Sequence, residues 1–247
     1  MIFFLLFIII HNIIMNSFTS CNDDILKIAH RGYSEMYGDN NIISFQKAIE
    51  NKFDMIEMDI QLSKDNKIII YHDIHIDNRY VKNIHSKELS AKYNIITLKD
   101  FFNQVNYKNI KINFDLKGEN PELLIETLIS ILFEYHVDTS LLYISSFNKK
   151  FIHYLIIFKR HCYMNYKIGF ITSNTYLDFE LDILLQGTNF IVIDYTMLTH
   201  NVVEYCHHKG IDVFTYTNKN IYTYDLIKQF NIDGIISNCK LPDINQI

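Results

Sequence analysis

Four short apolar runs in the first half of the chain bring ionisable side chains to their ends. Ile25–Ala29 leads into His30-Arg31-Gly32, and Met55–Ile60 carries Glu57 and Asp59. Lys67–Tyr71 leads into His72-Asp73, and Ile110–Leu116 carries Asp115 and leads into Lys117. Alternate residues of a strand share a face, so Glu57 projects with Asp59, and Asp115 with Lys117. Taken singly each feature has an ordinary explanation: a carboxylate pair marks a solvent-facing edge, and an Asp after a His caps a turn. The residues around Glu57 and Asp59 argue otherwise. Met55, Ile56, Met58 and Ile60 make this a strand buried on both faces. Carboxylates placed there without a partner are too costly to survive and require a cation. Oxygen donors with no cysteine among them suit Mg²⁺ or Ca²⁺ rather than zinc.

The set matches one reaction class, phosphodiester hydrolysis. Charge on the non-bridging oxygens can be neutralised by a divalent ion together with Arg31 and Lys117. A base for the incoming nucleophile and an acid for the leaving alkoxide can be supplied near neutral pH by His30 and His72, one on each side of the phosphorus. The chain contains neither a G-x-S-x-G serine elbow nor a G-x-x-x-x-G-K-[ST] phosphate loop. Serine-hydrolase and nucleotide-hydrolase chemistry are thereby weakened.

These side chains meet only if the elements carrying them converge. Beyond the first four runs, strand-like segments are expected at Leu141–Ile144, Tyr166–Ile171, Phe190–Ile193, Val213–Tyr216 and Gly234–Ile236. Helices are expected at Ile42–Asn51, Leu98–Val105, Pro121–Tyr135, Lys149–Lys159, Tyr176–Leu185, Thr199–Lys209 and Tyr222–Phe230. Asn120-Pro121 reads as a helix start and Lys209-Gly210 as a stop. The alternation predicts a parallel α/β architecture, interrupted by a tight strand pair turning at Lys64-Asp65-Asn66. A chain of 247 residues fits one α/β barrel, in which strand carboxyl ends share one mouth. With 49% hydrophobic residues one core is affordable, while 7 Gly and 2 Pro leave many turns to Asn. A net charge of −5 without a basic run excludes a nucleic-acid backbone as partner.

From Ile28 to Pro242 the sequence resembles the glycerophosphodiester phosphodiesterase family, within the phospholipase-C-like phosphodiesterase superfamily. The opening IAHRGYSEMYGDNNIISFQKAIENKFDMIEMDIQLSKDNKIIIYHD carries the family's His-Arg-Gly, Glu-x-Asp and His-Asp in order, followed by INFDLKG, ISSF, KIGFIT and IDGIISN. The resemblance implies a (β/α)8 TIM barrel and metal-dependent release of sn-glycerol 3-phosphate and an alcohol from small or lipid-derived phosphodiesters. It implies His30 and His72 as the acid–base pair, Arg31 and Lys117 as phosphate contacts, and Glu57, Asp59 and Asp115 as ligands of Mg²⁺ or Ca²⁺. Three departures stand out. Asp115 replaces the usual Glu, with Glu119 as a conceivable substitute; Gly38-Asp39-Asn40-Asn41 keeps only the Asn of the family's Pro-Glu-Asn-Thr turn; and Tyr216-Thr217 replaces Trp-Thr, making Tyr216 an aromatic substrate contact. Two other functions remain open: a phospholipase D-like enzyme acting on lysophospholipids or sphingomyelin, and a catalytically inactive barrel that serves as a binding protein.

Residues 1–21 are set apart from the domain at 22–247. The apolar run MIFFLLFIIIHNIIM suits a signal peptide or an anchor, although no Lys or Arg precedes it. The expectation is a secreted or membrane-associated protein, with membrane association through residues 1–15, or a cytoplasmic one if the segment is no signal. Cys21, Cys162, Cys206 and Cys239 show neither zinc spacing nor a small disulfide framework and are expected reduced. The sequence carries no signal of oligomeric state.

Overall fold

The computed structural model describes residues 25–241. The segment at 1–21, with Cys21, lies outside them. Eleven strands are present among the described residues: β1 (Leu26–Ala29), β2 (Met55–Leu62), β3 (Ile68–Ile70), β4 (His75–Ile76), β5 (Arg79–Tyr80), β6 (Lys111–Leu116), β7 (Leu142–Ser146), β8 (Lys167–Thr172), β9 (Phe190–Asp194), β10 (Asp212–Asn218) and β11 (Gly234–Ser237). The helices are α1 (Ser34–Tyr37), α2 (Ile42–Glu50), α3 (Ser86–Tyr93), α4 (Leu98–Gln104), α5 (Pro121–Glu134), α6 (Lys149–Cys162), α7 (Asp178–Leu184), α8 (His200–His208) and α9 (Ile221–Ile227).

Eight strands run parallel in the order β1-β11-β10-β9-β8-β7-β6-β2, and β2 returns to β1 by pairing Met55 with Ile28 and Ile56 with Ala29. The sheet is therefore a closed (β/α)8 barrel. Strand β2 outruns it, and its far end pairs antiparallel with β3 through Ile60–Ile70 and Leu62–Ile68. This is the expected hairpin, turning through Asn66 at φ +56°.

Closure gives every strand an inner and an outer face, so two apolar layers form. Ile56, Met58 and Ile60 face outward into the main core beneath the helices. Ile28, Met55, Tyr143, Ile171, Phe190, Val192, Phe214 and Ile236 make a separate cluster that fills the interior. A Cβ at Gly169 would lie 2.2 Å from the Phe190 ring, so the bare glycine is what admits that aromatic side chain. With Met55 below them, Glu57 and Asp59 point inward near the top of this plug, and both are buried.

Local chemistry sets the boundaries. Asn41 caps α2: its side chain accepts from Ser44 N at 2.9 Å, while Ser44 Oγ accepts from Asn41 N at 3.3 Å. Asn120 caps α5 just before Pro121, and α8 ends at Lys209 before Gly210 at φ +73°. Asn40, Asn66, Asn78 and Asn94 all take positive φ, the role that scarce glycine leaves to asparagine. Two features went unpredicted, the one-turn α1 and the β4–β5 ribbon followed by α3. Among the described residues no helix is long and apolar enough to cross a membrane.

Candidate active site

The inner faces of β2 and β6 bring three carboxylates together. Glu57, Asp59 and Asp115 are all buried, and one oxygen from each lies within 4.8 Å of the others. Asp59 stands opposite Asp115 across the β2–β6 ladder, so strand register places them side by side. The shorter Asp115 therefore still reaches the cluster. Glu119 does not belong to it: that side chain is exposed and paired with Lys82.

Backbone turns deliver the cations and the polar supports. After β1 the chain turns through Arg31 and Gly32, both at positive φ, and Arg31 N donates to Glu57 Oε2 at 2.8 Å. Arg31 Nε lies 3.2 Å from Asp59 Oδ2, and its Nη1 donates to Asp39 at 2.7 Å. Asn40 Nδ2 donates to the same Asp59 oxygen at 2.9 Å. Lys117 Nζ lies 2.6 Å from Asp115 Oδ2 and 3.4 Å from Asp59 Oδ1, above the Phe147 ring.

Burial pushes Glu57 well above the usual carboxylate range, and the charges of Asp59 and Asp115 add to the effect. Burial likewise raises Asp115 to about 6, with Asp59 adding to the shift and Lys117 opposing it. Asp59 is also buried, but Lys117, Arg31 and Asn40 together outweigh that penalty and hold it below its ordinary value. The cluster is short of positive charge. Asp115 Oδ1 is buried and has no hydrogen-bond partner. A hard divalent cation fits this donor set, since it would take up that oxygen and offset the mutual repulsion of the three carboxylates.

The two histidines differ in their surroundings. His30 Nδ1 faces Asn238 Oδ1 at 2.6 Å; the amide oxygen only accepts, so Nδ1 carries the hydrogen and Nε2 of the neutral ring is bare. Burial, reinforced by the Arg31 charge, lowers His30 to about 4. His72 is part-exposed and donates from Nδ1 to Asp73 at 2.6 Å, leaving Nε2 as its other exchange point. Gln61 holds the segment bearing His72 by donating to the carbonyls of Tyr71 and Asp73 at 2.7 and 2.9 Å.

All eight predicted site residues line one cavity of about 130 Å³: His30, Arg31, Glu57, Asp59, His72, Asp115, Lys117 and Tyr216. Lys117, expected on phosphate, here rests on Asp115 and Asp59 while still facing the cavity. Asn238, Gln61 and Phe147 lie within the motifs that carry the family resemblance, but the sequence assigns them no role. Asn238 follows the last strand as His30 follows the first, and the adjacency of β1 and β11 would have exposed the pair. Cys162, Cys206 and Cys239 are free thiols.

Comparison with known proteins follows the same outline. Residues 30–239 match the model of the glycerophosphoryl diester phosphodiesterase family. A glycerophosphodiester phosphodiesterase of Caldanaerobacter subterraneus subsp. tengcongensis is 26% identical over 233 residues, covering 86% of this chain and 93% of the relative. Among solved structures, a glycerophosphodiester phosphodiesterase from Parabacteroides distasonis superposes with a TM-score of 0.74 at 23% identity, covering 87% of this chain and 93% of that one. An Oleispira antarctica phosphodiesterase, solved with its product sn-glycerol-3-phosphate, gives a TM-score of 0.71 at 20% identity over 86% of this chain and 92% of its own. At these identities the structural matches establish the shared fold.

Proposed function

This chain belongs to the glycerophosphoryl diester phosphodiesterase family, and we propose that it hydrolyses glycerophosphodiesters to sn-glycerol 3-phosphate and an alcohol by metal-dependent acid–base catalysis. The observation that carries the proposal is the lining of one cavity by three buried carboxylates, two cationic side chains and two histidines. Glu57, Asp59 and Asp115 would hold Mg²⁺ or Ca²⁺. When bound, the ion supplies positive charge for the non-bridging phosphate oxygens.

The chain's own groups account for the rest. Arg31 and Lys117 present guanidinium and ammonium to the same oxygens, which gain negative charge as the nucleophile adds. His30 is the base: its Nδ1 hydrogen is committed to Asn238, and its lowered pKa keeps Nε2 free to take the proton of the incoming hydroxyl. His72 is the acid: Asp73 fixes its Nδ1–H, and its Nε2–H passes to the departing alkoxide. Tyr216 and Phe147, with rings 6.0 Å apart edge to face, form the aromatic wall beside Lys117.

The test is product formation from glycerophosphoethanolamine. Wild type is expected to release sn-glycerol 3-phosphate, and His30→Ala to lose about 10²- to 10⁴-fold in kcat. Equal turnover by the two proteins would remove His30 from the mechanism. Absence of product from wild type with both this diester and the butanol diester of sn-glycerol 3-phosphate would remove the proposal.

A further inference from the structure

A second cavity adjoins the catalytic one. It is a groove of about 370 Å³, and Lys117 and Gln61 stand in its wall. Lys117 lines both spaces, so the groove begins where the catalytic cavity ends. Gln61, in the groove wall, also ties down the segment bearing His72, the proposed acid, which lines the catalytic cavity. The catalytic cavity, at about 130 Å³, is roughly a third of the groove's volume. A bulky alcohol on a phosphate seated in the smaller cavity would find its nearest apolar space in the groove.

The groove's chemistry is mainly apolar. Leu62, Ile74, Tyr80 and Leu124 form its walls, and its exposed charges Lys82 and Glu119 neutralise each other in a direct ion pair. The catalytic cavity is more heavily charged, with His30, Arg31, Glu57, Asp59, His72, Asp115 and Lys117 in its lining. Ile74 and Tyr80 are 46% and 43% exposed, so each presents apolar surface to the groove.

We infer that this groove is the leaving-group subsite and that it selects glycerophosphodiesters whose alcohol is uncharged and largely aliphatic, an assignment that rests on the phosphodiesterase activity proposed above. The β4–β5 ribbon supplies Tyr80 and the turn before it supplies Ile74, so the selecting surface is carried by a segment outside the barrel. Methylene groups entering the groove leave water, and each one fully covered raises kcat/KM by up to about four-fold.

The experiment measures kcat/KM of the full chain for sn-glycerol 3-phosphate diesters of methanol, butanol and hexanol. Wild type is expected to show kcat/KM rising with each added carbon. Ile74→Glu and, independently, Tyr80→Glu are expected to flatten that rise, while Phe133→Glu, an exposed apolar position near the end of α5, keeps it. A wild-type series independent of chain length, or a slope unchanged in both groove variants, overturns the subsite while leaving the phosphodiesterase standing. Failure of wild type to cleave any member overturns both.

Discussion

Single side chains here have roles set by what they are allowed to pair with. His30 is kept neutral by burial and by Arg31, with a pKa near 4 against an ordinary 6.5. The unfolded chain takes up a proton at this position as pH falls through 6.5, while the folded chain does not until about 4. His30 therefore costs the fold stability as pH descends through that window and costs nothing above it. Urea unfolding of wild type is expected to lose more stability between about pH 7 and about pH 5 than that of His30→Gln; identical losses would show that the ring titrates normally. Asp115 tests the other half of the site. Its unpartnered Oδ1 is the oxygen most in need of a cation, so saturating Mg²⁺ or Ca²⁺ should raise the Tm of wild type, and Asp115→Asn should lose most of that rise. A full rise in the variant would take Asp115 out of the ligand set.

At the scale of elements, β2 does most to assemble the site. Its inward residues are, in order, Met55 in the barrel plug, Glu57 and Asp59 in the acidic cluster, and Gln61 beneath the His72 segment. Gln61 touches no reacting group in this account and acts by positioning His72. Gln61→Leu keeps the bulk but drops both hydrogen bonds; kcat is expected to fall about ten- to a hundred-fold with KM little changed. A change in KM alone would assign Gln61 to binding. The strand was legible in the sequence because Met55, Ile56, Met58 and Ile60 flank the two carboxylates and leave them no solvated face. The α3 helix was not: in SKELSAKY only Leu89, Ala91 and Tyr93 are apolar, at alternate positions that mark no helical face, and its Asn94 stop resembles any Asn-rich turn. Nor was the partner of His30, because Asn238 lies 208 residues away and becomes adjacent only when the barrel closes.

The whole molecule is a closed sheet whose interior changes from apolar plug to ionisable mouth along one axis. Closure brings the ends of β1, β2 and β6 to a common point, and it could be anticipated from strand–helix alternation together with the family resemblance. The size and direction of the groove could not, because they depend on the β4–β5 ribbon, two strands of two residues each. What the barrel builds at its mouth is a site that lacks one positive charge, and the most direct measurement asks whether a divalent ion supplies it. Protein stripped with chelator is assayed for sn-glycerol 3-phosphate release from glycerophosphoethanolamine, before and after Mg²⁺ or Ca²⁺ is restored. The account predicts that turnover disappears on stripping and returns with one of the two ions. Turnover that persists undiminished in excess chelator would contradict it.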